Sequence, residues 1–289
     1  MYQTSSLKNC LYKALLAVPD SVYVRVKYRK ALGYWPDLNN PITFNEKINW
    51  LKLHDRNPLY TTMVDKYEVK RYVADTIGEE YVIPTLGVWD RAKDIDFDSL
   101  PDKFVLKATH DSGRVIICTD KSKLDRAYAI AEMDKSLKRN FYAVTREWPY
   151  KNVPPRVIAE KLLETGRDEA LADYKVHNFN GVPRFILLCR DRFSESGMTE
   201  DFFDTAWNRL EVRRPNHPNA STVDERPPSL DKMLSLSRKL AGNVPFMRTD
   251  FYTIGDKVYF GEITLYPASG TVPFIPSEYD TVFGNLLKI

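Results

Sequence analysis

The sequence is short of cysteine, histidine and glycine, and each shortage removes a class of protein. Its three cysteines, Cys10, Cys118 and Cys189, stand far apart, and no Cys-x-x-Cys occurs. An odd, scattered set argues against a disulfide framework and for a reducing compartment. The four histidines, His54, His110, His177 and His217, lack the spacing of a zinc site. Twelve glycines and 18 prolines in 289 residues are too few for a collagen-like or low-complexity chain. The glycine fingerprints Gly-x-Gly-x-x-Gly and Gly-x-x-x-x-Gly-Lys-Ser/Thr are both missing, which sets aside the two commonest nucleotide loops. No apolar run approaches the roughly 20 residues of a membrane span. The stretch 11–18 is short and broken by Lys13, unlike a secretory signal. A net charge of only +3 gives no bulk attraction for nucleic acid. The chain reads as a soluble cytoplasmic protein with no nucleic-acid partner.

What is present is a large apolar fraction, 43% hydrophobic and 12% aromatic, enough for one large domain or two small ones. Residues 1–40 read as helical and basic, with Lys8, Lys13, Arg25, Lys27, Arg29 and Lys30 among Leu, Val and Tyr. An amphipathic helix packed on the domain is the simpler reading, and peripheral membrane association through it is the second. Thr43 and Glu46 form a capping box that opens a helix reaching residue 53, with Phe44, Ile48, Leu51 and the Trp50 ring as its stripe. Another helix is expected over 65–76, closed by Gly78, and others over 121–142 and 230–240. Strands are expected at 81–89, 104–108, 115–118, 157–160, 174–179, 183–188, 251–254 and 257–260. Asn180-Gly181 and Gly255-Asp256 mark tight hairpins. The proline-rich, polar stretch 191–228 reads as loops. Helices interspersed with hairpins give an α+β chain with mainly antiparallel sheets.

Three stretches carry chemistry. Around the Gly255-Asp256 turn, Asp250 and Glu262 come side by side, with Arg248 and Thr264 on the same face by the two-residue period of a strand. Two such carboxylates repel unless a cation separates them, and oxygen-only donors beside an arginine suit Mg²⁺ bound with phosphate. Lys107 ends an apolar strand, and Ser112 and Gly113 follow in a loop whose backbone N–H groups suit phosphate oxygens. Glu160 leaves a third apolar strand ahead of Lys161, Leu162 and Leu163, an arrangement with an acid and free backbone groups for an adenine edge. Taken alone, the acidic hairpin reads rather as acids facing water and Lys107 rather as an ordinary strand end, while the Glu160 stretch reads equally as an amphipathic strand-to-helix junction.

Their order makes the difference. Lys107, Glu160, Lys175, Arg248-x-Asp250 and Glu262-x-Thr264 follow one another as in the ATP-grasp superfamily. The chain resembles in particular the TupA-like ATP-grasp family, through Thr43-Phe44-Asn45-Glu46-Lys47, Asp65-Lys66-Tyr67, Phe104-Val105-Leu106-Lys107, Asp173-Tyr174-Lys175, Phe179-Asn180-Gly181 and Phe260-Gly261-Glu262-Ile263-Thr264. The resemblance implies two α+β subdomains clasping ATP. It divides the chain into a helical and α+β region over 1–90, a small subdomain over 91–163 and a large subdomain with the metal site over 164–289.

The resemblance also implies roles. Lys66, Lys107, Ser112, Gly113, Glu160, Lys161, Leu162, Leu163, Asp168 and Lys175 would bind ATP, with Asp168 or Glu164 as the ribose acid. Asp250, Glu262 and Thr264 would hold Mg²⁺, and Arg248 would stabilise the transferring phosphoryl group. Many ATP-grasp proteins have Asn where Thr264 stands, which puts the second metal in question. Arg190, Arg192, Ser269 and Gly270 are the substrate-binding candidates. The implied activity is an ATP-dependent carboxylate–amine ligase working through an acyl-phosphate. Its substrates would be a uronic-acid-bearing sugar or glycan precursor and an amino acid or amine. The implied setting is bacterial surface polysaccharide biosynthesis (capsule, O-antigen or teichuronopeptide), at the inner face of the membrane. A sugar phosphotransferase and a non-catalytic nucleotide-binding module stay open beside it.

Overall fold

The computed structural model describes residues 12–164, 171–190 and 197–289. Asp168 and Arg192 lie outside the described residues, as do Lys8 and Cys10; no structural role is assigned to them. Among the described residues no helix is long and apolar enough to cross a membrane.

Helix α1 (Asp20–Leu32) is ended by Gly33 in the left-handed conformation. Helix α2 (Phe44–His54) begins at the anticipated capping box: the Thr43 hydroxyl accepts from Glu46 N at 3.3 Å, and Glu46 Oε2 accepts from Thr43 N at 3.0 Å. Two orphan donors of the first turn are thereby satisfied. The apolar stripe Phe44, Ile48 and Leu51 is buried, whereas Trp50 is only partly so. Helices α3 (Leu59–Val64) and α4 (Val69–Ile77) follow. The helix expected over 65–76 therefore starts later, because Asp65 caps the turn before it by accepting from Tyr67 N at 2.9 Å.

The first sheet is antiparallel, in the order β1-β4-β2-β3, with β1 Thr85–Trp89, β2 Phe104–Ala108, β3 Val115–Cys118 and β4 Val157–Lys161. Helix α5 (Arg126–Leu137) covers it, and Phe104, Leu106, Ala129, Met133 and Val157 make its core. Asn140 then caps a short separate helix, α6 (Phe141–Thr145), so the single helix expected over 121–142 is broken in two.

The second sheet is also antiparallel, in the order β7-β6-β5-β8-β9: β5 Asp173–Phe179, β6 Val182–Arg190, β7 Thr199–Asp204, β8 Phe246–Ile254 and β9 Lys257–Thr264. Asn180 (φ 49°) and Gly181 (φ 78°) are both left-handed, as the β5–β6 turn requires. Strand β7 corrects the reading of 191–228 as loops. Its sequence, Thr-Glu-Asp-Phe-Phe-Asp, is too acidic to announce a buried strand. Arg214 Nε meets Glu200 at 2.7 Å and Arg209 Nε meets Asp201 at 2.9 Å, so both acids are buried with a counter-charge.

Helix α7 (Leu230–Ala241) packs on one face of this sheet through Leu230, Met233, Leu236 and Leu240. The other face meets α2 and the C-terminal helix α8 (Glu278–Leu286) through a cluster of Phe44, Phe185, Phe202, Phe246, Phe274 and Phe283. Each such ring withdraws apolar area worth about 1.5–3 kcal/mol. One backbone bridge ties the second sheet to the chain entering the first. Val82, just ahead of β1, bridges to Phe260 of β9, while Lys66 N donates to Thr109 O at 3.1 Å and ties the helical segment to the end of β2.

Candidate active site

Strand register builds the site. On the second sheet Lys175 pairs with Asp250, Asp250 with Glu262, and Arg248 with Thr264, so three adjacent strands present these side chains from one face. Arg248 donates to Asp250 twice, Nε to Oδ1 and Nη2 to Oδ2, both at 2.7 Å. The same Nη2 reaches Glu262 Oε1 at 3.0 Å. Lys175 Nζ lies 2.5 Å from both Asp173 Oδ2 and Asp250 Oδ2. Thr264 Oγ1 is 3.5 Å from Glu262 Oε1.

Burial alone would push Asp250, 1% exposed, towards its neutral form; Arg248 and Lys175 outweigh it and hold the carboxyl below its ordinary value. Burial likewise opposes the charge of Lys175, and Asp250 and Asp173 overcome it and raise its pKa. His177 on the same face is driven well below its ordinary value by burial and then by Arg248. Its ring stacks on Phe185 at 4.2 Å, and its Nδ1 lies 2.9 Å from Lys175 O.

Asp250, Glu262 and Thr264 offer oxygen donors only, the chemistry a hard divalent cation takes. Among the described residues no three His, Cys, Asp or Glu side chains form a ready-made metal cage. Two carboxylates and a hydroxyl fit Mg²⁺ in its usual nucleotide setting, where phosphate oxygens and water complete the shell.

The first sheet supplies the second group. Glu160 pairs with Val105, and Lys107 is two residues on, so the two side chains share a face. Lys107 Nζ lies 2.6 Å from Glu160 Oε2, and Lys70 Nζ lies 2.5 Å from Glu160 Oε1. Burial would raise the Glu160 pKa, and the two lysines outweigh it and lower it. Lys70 also donates to Ile83 O at 2.6 Å, beside the link between the sheets. Sequence reasoning misses Lys70, whose only signal is a position one helical turn after Lys66. Lys66 Nζ donates to Asp111 O at 2.6 Å and so supports the loop of Ser112 and Gly113. Lys161 N donates to Pro84 O at 3.0 Å.

Tyr150, on the helical turn Trp148–Asn152, packs its ring edge-on against Phe141 at 4.6 Å. Its phenol pKa is pushed well up, first by burial and then by Glu147 and Glu262, with Arg248 opposing and Asp111 adding to it. The predicted substrate residues divide. Ser269 lies in the loop after Thr264, its carbonyl accepting from Lys52 Nζ at 2.7 Å, while Gly270 O accepts from Asn49 at 2.7 Å. Arg190 points elsewhere and pairs with Asp224 at 2.7 Å. A cavity of about 460 Å³ bounded by Asp20, Arg25, His54 and Arg56 belongs to neither group.

Each of the two antiparallel sheets presents a cluster of charges, Lys107 with Glu160 on the first and Lys175, Arg248, Asp250 and Glu262 on the second. The TupA-like ATPgrasp family model matches residues 46–288, and the chain belongs to that family. No curated protein matches the sequence. Among solved structures, D-alanine–D-alanine ligase from Helicobacter pylori is similar at 16% identity and TM-score 0.45, over 84% of this chain and 68% of that one. D-cycloserine synthetase DcsG is similar at 15% identity and TM-score 0.44, over 79% and 70%. D-alanine–D-alanine ligase from Bacillus anthracis, complexed with ATP, is similar at 16% identity and TM-score 0.41, over 71% of this chain. This chain spans 55% of the length of that ligase.

Proposed function

We propose that this protein is an ATP-dependent ligase that joins an amine to a carboxylate through an acyl-phosphate. The carrying observation is that Lys175, Arg248, Asp250, Glu262 and Thr264 share one sheet face, while Lys107 and Glu160 stand on the neighbouring sheet. In this reading Lys107 and Lys66 face the phosphates, and Glu160 with the backbone of 161–163 receives adenine. Asp250, Glu262 and Thr264 would hold Mg²⁺, which supplies charge neutralisation on the phosphates. Arg248 is preset by Asp250 and Glu262 to meet charge developing on the transferred phosphoryl group. Preset charge of this kind needs no reorganisation during the reaction. The family's setting supports a uronic acid of a surface glycan precursor as the carboxylate and an amino acid or amine as the nucleophile. It also supports a place in the cytoplasm, at the inner face of the membrane.

The test is incubation with Mg-ATP, a set of hexuronates and amino acids, with ADP, phosphate and amide measured. Amide formed with equal ADP and phosphate is the expected result, abolished by Asp250→Asn and by Glu262→Gln. A stable phosphoester without free phosphate would turn the assignment to a phosphotransferase, and ATP binding without any turnover to a nucleotide-binding module.

A further inference from the structure

The cavity of about 460 Å³ beside helix α1 lies outside both charge clusters. Small-molecule sites typically have volumes of about 300–1,000 Å³. Basic groups converge on it from two helices and a loop: Arg25 of α1, His54 at the end of α2 and Arg56 just beyond. Among the described residues none of the three has a carboxylate oxygen within 4.0 Å. The acid in the lining and the acid between His54 and Arg56 in the chain are both engaged elsewhere. Asp20 Oδ1 lies 2.9 Å from Nε of the fully buried Arg146, and its Oδ2 accepts from the Tyr142 hydroxyl at 2.8 Å. Asp55 accepts from the Tyr60 hydroxyl at 2.7 Å. The basic side chains are also held in place. The Arg56 guanidinium lies over the Trp148 ring, 5.3 Å from its centroid, and the His54 ring lies 4.6 Å from that of Trp50. Arg25 Nη1 reaches back to Ser21 O at 3.4 Å. A concave lining of one sign concentrates its field on an anion.

We propose that this cavity binds a phosphorylated sugar. The planar fork of an arginine matches two phosphate oxygens, and Arg25 and Arg56 take the phosphate from separate segments of the chain. Ser21 and Asn39, also in the lining, supply the neutral hydrogen-bonding groups that sugar hydroxyls need. Leu38 and Leu53 give the lining an apolar portion, which suits the C–H face of a pyranose ring. A long polyanion such as nucleic acid is disfavoured by the mild net charge of +3. The assignment is independent of the ligase reading, because no residue of the cavity belongs to either charge cluster.

The experiment is titration calorimetry of the full chain with the 1-phosphates of glucose, galactose and N-acetylglucosamine, in excess Mg-ADP so that the nucleotide site is filled. At least one of the three is expected to bind. Arg25→Gln and Arg56→Gln should each weaken that binding about 10-fold, the scale of one lost charge-assisted hydrogen bond, and leave Mg-ADP affinity unchanged. Arg56→Lys should recover part of the loss, since it returns the charge without the fork. Inorganic phosphate and unphosphorylated glucose should both bind more weakly than the sugar phosphate. Absence of binding by all three sugar phosphates overturns the proposal, as does binding that both glutamine variants leave intact. Inorganic phosphate binding as tightly as the sugar phosphates overturns it too, and so do equal losses of sugar phosphate and Mg-ADP in both glutamine variants.

Discussion

Arg248 grips Asp250 through two parallel hydrogen bonds of 2.7 Å, and both side chains are buried on the same strand two residues apart. The pair is enclosed by Lys175 on one side and Glu262 on the other. Removing the Asp250 charge leaves two buried cations short of a partner. Asp250→Asn should therefore lose about 3–5 kcal/mol of stability, the usual cost of breaking a buried pair from one side. Urea denaturation measures this. A loss below about 1 kcal/mol would mean that the cluster is far more hydrated than its burial indicates.

Acid sensitivity follows from the same groups. Asp250 and Glu160 both have folded pKa values held below their ordinary ones. For an acid with a depressed folded pKa, the unfolded chain binds more protons as pH falls. The stabilisation is complete above the unfolded values of about 4 and is lost as pH drops through them towards the folded values. Thermal unfolding followed from neutral pH downwards should show a steep fall below about pH 5. The Glu160→Gln variant should show a shallower one, and curves of equal slope would refute the assignment to Glu160.

Lys70 and Lys107 share one carboxylate, and this coupling predicts a nucleotide effect away from Lys107. With Lys70 gone, Glu160 is left with Lys107 alone and competes with phosphate for it. Lys70→Met should weaken Mg-ADP binding about 10-fold, equivalent to about 1.4 kcal/mol. Titration calorimetry reads the change, and unaltered affinity would place Lys70 outside the nucleotide site.

Gly270 has φ +60°, and a Cβ there would stand 2.6 Å from Asn49 Nδ2, 2.9 Å from Ile48 Cγ2 and 3.1 Å from Asn45 O. Helix α2 and the 267–270 turn would have to separate. Gly270→Ala should cost about 2 kcal/mol or more, from overpacking together with a left-handed residue. It should also lower the proposed amide-forming turnover more than Mg-ADP binding, because the turn carries Ser269. Chemical denaturation alongside calorimetry tests both statements.

The local devices are legible in the order of residues. Thr43 and Glu46 announce a helix start, Asn180-Gly181 a hairpin, and the two-residue period places Arg248, Asp250, Glu262 and Thr264 on one face. These readings succeed because each depends on neighbours a few residues away. Strand β7 is hidden because its acids need Arg209 and Arg214 to make burial tolerable. Glu147 and Lys52 are equally hidden, since nothing near them in the chain marks a buried charge.

Short-range pattern is enough to specify the hairpins, the capped helix, the order of lysines and acids, and through that order the family. Which charges share a partner is settled only when the chain folds: Lys70 with Lys107 on Glu160, and Lys175 with Arg248 on Asp250, while Lys52 finds the Ser269 hydroxyl. Hydrogen-bonding and strand periodicity act over a few residues, whereas pairing of buried charges joins residues tens or hundreds of positions apart, and packing alone sets those distances.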